Sequence, residues 1–245
     1  MANPNVPTNP GHETVVEREI RKLKQRLVDE ATTAVGMLEA ALTALFALDR
    51  EGAQQIRRRD DIIDQEEVEI EEECFRLISL KQPYGHDFRM IAFILKVNAD
   101  VERIADNASS IAKIVRQFPE GEAPQWPTAV KELAQRVPMR CHQLLRAVLN
   151  EDEWAARELI KTDETIDLIE RGLFEETVAM MQQHPDQVRH GLLIVRIGRS
   201  LERVGDLLAN IAEDVVYLTT GEIVRHSKRK GTPREQTPPA PEDLE

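Results

Sequence analysis

The spacing of apolar residues along the chain predicts six long helices. Residues 14–48 carry apolar residues at helical spacing without an interrupting proline. Residues 53–81 place Ile56, Ile63 and Ile70 seven positions apart, which is the spacing of a helix packed along a bundle. The remaining predicted helices cover about 86–118, 128–149, 152–183 and the stretch that begins at Pro185.

The two halves of the chain repeat one pattern. Residues 89–112, RMIAFILKVNADVERIADNASSIA, align without a gap with residues 189–212, RHGLLIVRIGRSLERVGDLLANIA. Further upstream, residues 49–64 align with residues 152–167. Identical pairs include Arg89/Arg189, Ile94/Ile194, Glu102/Glu202, Arg103/Arg203, Asp106/Asp206, Asp60/Asp163, Ile63/Ile166 and Asp64/Asp167. The chain is therefore predicted to contain two copies of one module.

A proline-rich stretch separates the two copies. The sequence FPEGEAPQWP at residues 118–127 cannot continue a helix, so it marks the natural boundary. The predicted fold is all-α, with two tandem, pseudo-symmetric three-helix bundles. We assign residues 1–12 to a disordered tail, 13–118 to the first bundle, 119–127 to the linker, 128–226 to the second bundle and 227–245 to a second disordered tail.

Composition supports helices and restricts the function. Hydrophobic residues make up 41% of the chain, whereas aromatic residues make up only 4% and there are 11 glycines, which disfavours sandwiches and barrels. The net charge of −12 argues against nucleic-acid binding and favours cations or basic partners. No uncharged apolar run approaches the ~18 residues of a membrane span, and no signal peptide precedes the first helix. We therefore expect a cytoplasmic protein.

The repeat preserves pairs of carboxylates four residues apart. These pairs are Asp60/Asp64, Glu102/Asp106, Asp163/Asp167 and Glu202/Asp206. Each pair faces away from its helix's apolar seam, so four carboxylates converge in each module if the two helices are neighbours. Clustered oxygen ligands suit hard cations such as Mg²⁺, Ca²⁺, Mn²⁺ or ferric iron. The alternative is that Arg103 and Arg203 neutralise the pairs as solvated salt bridges.

Motifs for several enzyme classes are absent from the sequence. No histidine follows a glutamate by three residues, as ferritin-type di-iron sites require, and there is no GxSxG, HExxH or glycine-rich phosphate loop. We expect a protein without catalytic activity. A carboxylate-metal hydrolase or oxidase, and a metal-free helical scaffold, stay open as alternatives.

Four stretches of the chain resemble the PhoU family of phosphate-uptake regulators. They are DDIIDQEEVEIEEEC, QPYGHDFRMI, ADVERIADNASSIAK and SLERVGDLLANIAEDVVYLTTGEIVRH, within a resemblance that covers about residues 12–226. It implies two tandem three-helix bundles and a cytoplasmic negative regulator that couples a phosphate ABC transporter, through its ATPase subunit, to a membrane sensor histidine kinase. It also implies a homodimer that reaches the membrane only through its partners.

The resemblance further implies multinuclear metal clusters, of iron or zinc, with Mg, Mn or Ca as other candidates. Asp60, Asp64, Glu102 and Asp106 would hold one cluster, and the second would be held by Asp163, Asp167, Glu202 and Asp206. The family often has His or Asn directly after the last Asp of the motif. Asn107 keeps this pattern and Leu207 does not, so we expect a smaller or weaker second cluster. The extension after His226 has no counterpart in the family and is assigned no role.

Overall fold

The computed structural model describes residues 14–119, 124–162 and 164–224. All regular structure in these ranges is helical, which confirms the all-α fold class. A single 3-10 turn, Pro185–Gln187, precedes the last helix. The helices are α1 Val15–Ala47, α2 Arg50–Lys81, α3 Gly85–Val115, α4 Thr128–Asn150, α5 Glu153–Lys161, α6 Glu164–Gln183 and α7 Val188–Thr220.

The corner between the first two helices of each module has the same construction. Helix α1 ends at Ala47, and Leu48 follows in the left-handed conformation with φ 50°. Asp49 then caps α2 by accepting hydrogen bonds from two backbone amides. In the second module Glu151 also has φ 50°, and Asp152 caps α5 by accepting from a backbone amide at 3.0 Å. These equivalent corners fix the alignment of the first two helices of the modules at an offset of 103 residues.

Apolar seams hold each group of helices together. Helices α1, α2 and α3 pack against one another, and α4 to α7 form the corresponding second group. The residues predicted from the seven-residue spacing in α2 are all buried, and burial of such side chains stabilises the fold by about 1.5–3 kcal/mol each. Fully buried side chains include Leu23, Leu27, Leu38, Leu45, Ile63, Ile70, Leu77, Ile94, Ile111, Leu133, Ile194, Ile197 and Leu201.

The two groups of helices also pack against each other. Helix α3 lies along α7 and α1 lies along α4. Lys96 of α3 forms an ion pair with the buried Asp214 of α7. Lys24 of α1 pairs with Glu151 at 2.7 Å. The predicted domain boundaries stay predictions, and residues 1–12, 120–123 and 227–245 lie outside the described residues.

The helix predicted over residues 152–183 consists of two segments. Helix α5 ends at Lys161, and Thr162 has non-helical angles of φ −89° and ψ 4°. Arg140 of α4 donates hydrogen bonds to the Thr162 carbonyl at 2.8 Å and to the Leu159 carbonyl at 2.9 Å. Carbonyls at a helix end have no intrahelical partner, so these bonds stabilise the interruption.

Helix α1 is long and apolar enough to cross a membrane by length and composition alone. Half of its most apolar window is buried inside the protein, where α1 packs on α2, α3 and α4. The apolar face of α1 is therefore accounted for by the protein core.

Candidate metal centres

Two neighbouring helices bring the four predicted carboxylates of the first module to one surface. Asp60 and Asp64 lie on α2, and Glu102 and Asp106 lie on α3, which packs along α2. Burial of Ile63 in the core directs the α2 pair to the edge of the helix contact. Asp60 and Glu102 are half-buried, whereas Asp64 and Asp106 are exposed. The group is thus open to solvent on one side and covered by protein on the other.

The pKa values of the first group show that its carboxylates interact. Burial raises the pKa of Glu102 to about 6, and the charges of Asp106 and Asp64 add to the increase. The pKa of Asp60 is also raised, first by burial and further by the charges of Asp106 and Asp64. The charges of Asp64 and Asp106 therefore act on both Asp60 and Glu102. A bound cation would offset this repulsion.

The second module brings three carboxylates into tighter contact. Oxygens of Asp167 on α6 and of Glu202 and Asp206 on α7 all lie within 4.8 Å of one another. Burial raises the pKa of Glu202, with Asp206 as the next cause, and burial together with Asp167 raises the pKa of Asp206. Asp163, the fourth predicted ligand, lies outside the described residues.

Within the described part of the chain, Arg103 forms its ion pair outside the first carboxylate group. The Arg103 guanidinium donates to Asp100 at 3.0 Å, on the preceding turn of α3. The positive charge of Arg103 lowers the pKa of Glu102. This decrease is smaller than the increase caused by burial and by the neighbouring carboxylates. In the first module, Arg103 therefore pairs with Asp100 and not with the carboxylates of the predicted alternative.

A further carboxylate joins each group. Glu67 follows Asp64 by three residues on α2, and its charge contributes to the raised pKa of Glu102. Glu170 holds the equivalent position after Asp167 and acts on Glu202 in the same way. The sequence contains a sign of these two residues. Glu67 follows Asp60 by seven positions and Glu170 follows Asp163 by seven, a spacing that places both members on the same helix face.

The donor set fits a hard cation. Carboxylate oxygens are the ligands that Mg²⁺, Ca²⁺, Mn²⁺ and ferric iron prefer, and they also bind zinc. In the second module three such oxygens already converge. The donor chemistry of both modules therefore fits a metal ion. Among the described residues, however, only the second-module oxygens lie within 4.8 Å of one another, and Asp163 is outside the described residues.

The residues that follow the two motifs differ in their surroundings. The Asn107 side-chain amide donates to the Arg103 carbonyl of its own helix at 2.8 Å. Leu207, at the equivalent position, is buried in the core. Asn107 thus keeps a polar group beside Asp106, whereas Leu207 supplies none beside Asp206.

Comparison with known proteins decides the family. The profile of the PhoU domain matches twice, over residues 27–115 and 130–215, and each match covers one helix group. The chain belongs to the PhoU family. The profile therefore repeats along the chain as the internal alignment predicted, and the resemblance identified from the sequence is confirmed.

Named relatives of the PhoU family match most of the chain. It is 35% identical over 209 residues to a "phosphate-specific transport system accessory protein PhoU homolog" of Pseudomonas aeruginosa, covering 85% of this chain and 86% of that protein. A protein of the same description from Deinococcus radiodurans is 29% identical, with 84% and 97% covered.

Crystal structures of PhoU proteins share the fold. The phosphate transport system regulatory protein PhoU of Streptococcus pneumoniae aligns with a TM-score of 0.79 and 30% identity, covering 85% of this chain and 99% of that one. PhoU of Pseudomonas aeruginosa aligns with a TM-score of 0.80 and 34% identity, covering 84% and 99%. The chain is thus similar over nearly the full length of both structures.

Proposed function

We propose that this chain is a metal-binding accessory protein that represses phosphate uptake and the phosphate-starvation response. In this proposal it acts in the cytoplasm, without catalysis, and couples a phosphate ABC transporter to a sensor histidine kinase. Its relatives are named accessory proteins of the phosphate-specific transport system. The observation that carries the metal-binding part is the convergence of Asp167, Glu202 and Asp206 within 4.8 Å.

The acidic groups can serve recognition as well as metal binding. Each group lies on a helix surface that is partly open to solvent. Opposite charges across an interface accelerate association and select partners. A basic patch on the transporter ATPase subunit or on the kinase is therefore the complementary partner, and bound iron or zinc would change the charge that this partner meets. A homodimer is the assembly that we propose for the free protein.

Two measurements test the proposal. Protein purified without an affinity tag should carry iron, zinc or another cation by elemental analysis, and a chelator should remove it. Metal-free protein that also fails to bind added cations would overturn the metal assignment. A pull-down from phosphate-replete cells should recover the transporter ATPase or the kinase. A charge-neutralised Glu202→Gln/Asp206→Asn variant is the control. Recovery of neither the transporter ATPase nor the kinase with the wild-type protein would overturn the regulatory assignment.

A further inference from the structure

The chain turns back on itself at the end of α7. The helix ends at Thr220, and Gly221 follows with φ 75°, the left-handed conformation that ends a helix and redirects the backbone. Val224 lines the same pocket as Glu213, a pocket of about 100 Å³ between α7 and α3. Glu213 lies seven residues before the helix end, which is about 10 Å along the axis. The described part of the chain therefore ends over the surface of α7.

Contacts on two sides hold this end of the chain in place. Glu222 pairs with Arg157 of α5 at 3.2 Å, and its backbone amide donates to the Thr220 hydroxyl at 3.0 Å. Val224 is half-buried and packs against the apolar core. The point from which the chain continues is therefore fixed beside Glu213.

Three carboxylates lie along the same face of α7. Glu202, Asp206 and Glu213 are separated by four and seven positions, so they project from the helix within about 40° of one another. We call these three residues the acidic face of α7. Oxygens of Glu202 and Asp206 also lie within 4.8 Å of Asp167 on α6. The acidic face therefore runs from the point where the described chain ends to the carboxylate group of the second module.

The basic residues around this face point to other groups. Lys96 of α3 pairs with Asp214, and Lys161 of α5 pairs with Glu158 of its own helix at 2.7 Å. Arg203 projects from α7 about 60° or more away from the acidic face. These three positive charges are thus directed to other carboxylates or to another side of α7.

The sequence directly beyond Val224 carries the opposite charge. Residues 225–230, RHSKRK, contain four Lys or Arg residues and no carboxylate, although the whole chain has a net charge of −12. We call these six residues the basic segment. Opposite charges on tethered groups associate readily, because a short tether keeps the local concentration in the millimolar range. The basic segment is therefore a ready ligand for an acidic surface beside Val224.

The reach of the basic segment matches the length of the acidic face. Along α7, Glu213 lies about 10 Å from Asp206 and about 16 Å from Glu202. An extended chain spans up to about 3.3 Å per residue, so Lys228 reaches about 13 Å and Lys230 about 20 Å beyond the end of the described chain. Both lysines can therefore reach the far end of the acidic face.

We propose that the basic segment binds along the acidic face of α7, over Glu213 and toward Asp206 and Glu202. This contact does not depend on a bound metal. In the proposed function, the same surface meets a cation or a basic partner protein, so the basic segment would compete with both. A partner would then have to displace the basic segment before it contacts this side of the second module.

Zero-length cross-linking of the full chain in chelator tests this contact. A carbodiimide joins a lysine amine to a carboxylate only where the two side chains touch, and mass spectrometry of the digested protein identifies the pair. We expect Lys228 and Lys230 to couple to the acidic face and not to the carboxylates of the first module. In 1 M salt the Debye length falls from about 10 Å to about 3 Å, so the yield should fall about fivefold.

Matched variants remove the same charge from the two modules. Glu202→Gln/Glu213→Gln neutralises two carboxylates of the acidic face, so coupling of the lysines to Asp206 should fall about threefold, because each exposed ion pair contributes little free energy. Asp60→Asn/Asp64→Asn is the control and should leave this coupling unchanged. Circular dichroism checks that both variants fold, and if one does not, the wild-type coupling pattern decides the result.

A mixture of isotopically labelled and unlabelled protein shows whether the coupled residues belong to one chain. We expect both members of each coupled pair to carry the same label. Coupling mainly between labelled and unlabelled chains would place the basic segment on a second copy and overturn the inference. Equal yields at the two modules, or no coupling to the acidic face, would also overturn it.

The outcomes separate this inference from the proposed function. If coupling is absent from a protein that carries metal and recovers its partners, the inference is wrong and the proposed function stands. If coupling to the acidic face occurs in a protein that binds no cation and recovers no partner, the inference stands and the proposed function is wrong.

Discussion

Neutralising the first carboxylate pair should stabilise the metal-free protein. In the variant Glu102→Gln/Asp106→Asn, the expected gain follows from the raised pKa of Glu102. The pKa of Glu102 is raised from 4.5 to about 6, which at 1.36 kcal/mol per unit corresponds to about 2 kcal/mol before solvent screening. Because Glu102 is half-buried, screening reduces this to roughly 1 kcal/mol. The repulsion by Asp106, about 0.2–0.5 kcal/mol for a like-charged pair at this spacing, is one of the causes of the raised pKa and is already included in this figure.

The pH dependence of this gain has a defined sign. A carboxyl whose pKa is raised by folding destabilises the protein above that pKa, and protonation removes the effect as the pH falls. In chelator at pH 8, the variant should therefore melt about 2–4 °C above the wild-type protein. Near pH 4.5 Glu102 is largely protonated in the folded protein, so most of its share of the gain should disappear.

The same variant should lose stabilisation by metal. A ligand present at one hundred times its dissociation constant stabilises the native state by about 2.7 kcal/mol. Differential scanning calorimetry with chelator and with added Mn²⁺ measures both effects. If the variant melts below the wild-type protein in chelator, the repulsion argument is refuted. If added Mn²⁺ raises the melting temperature of the variant as much as that of the wild-type protein, the assignment of Glu102 and Asp106 as ligands is refuted. Glu202→Gln/Asp206→Asn should lose less metal, and equal losses would contradict the role given to Leu207.

Three further variants test the packing. Gly198→Ala places a Cβ 2.3 Å from the Leu173 side chain and should cost about 1–3 kcal/mol in urea unfolding, whereas an unchanged midpoint would refute the close approach. Lys96→Met removes one ion-pair partner of Asp214 and should cost about 1–3 kcal/mol at pH 8. Burial raises the pKa of Asp214 to about 6, so that loss should shrink at pH 5, and a pH-independent loss would contradict the charge argument. Asp49→Ala removes the α2 cap and should cost about 1 kcal/mol by the same measurement, and an unchanged urea midpoint would contradict the role of the cap.

The periodic positions were sufficient to predict the helices and the faces that they bury. Ile63 and Ile70 are buried as the spacing in α2 predicted. The interruption at Thr162 could not be predicted, because neither proline nor glycine marks it. It depends on hydrogen bonds from Arg140, which lies on another helix. Such a contact becomes visible only when the packing of the helices is known.

The sequence located the carboxylate pairs but did not locate the residues around them. The pairs were found because the repeat preserves them at Asp60/Asp64 and its counterparts. Glu67 was hidden in a run of acidic residues that a solvated helix face would also show.

The matching corners at Leu48 and Glu151 show which part of a helix connection needs a particular residue. The left-handed residue is leucine in one copy and glutamate in the other, although both have φ 50°. What the copies share is an aspartate cap and a backbone bond, from Asp49 to the Ala44 carbonyl at 2.8 Å and from Asp152 to the Ala147 carbonyl at 2.9 Å. In the design of helical proteins, this corner can therefore serve as a transferable connector whose left-handed position accepts apolar or charged side chains.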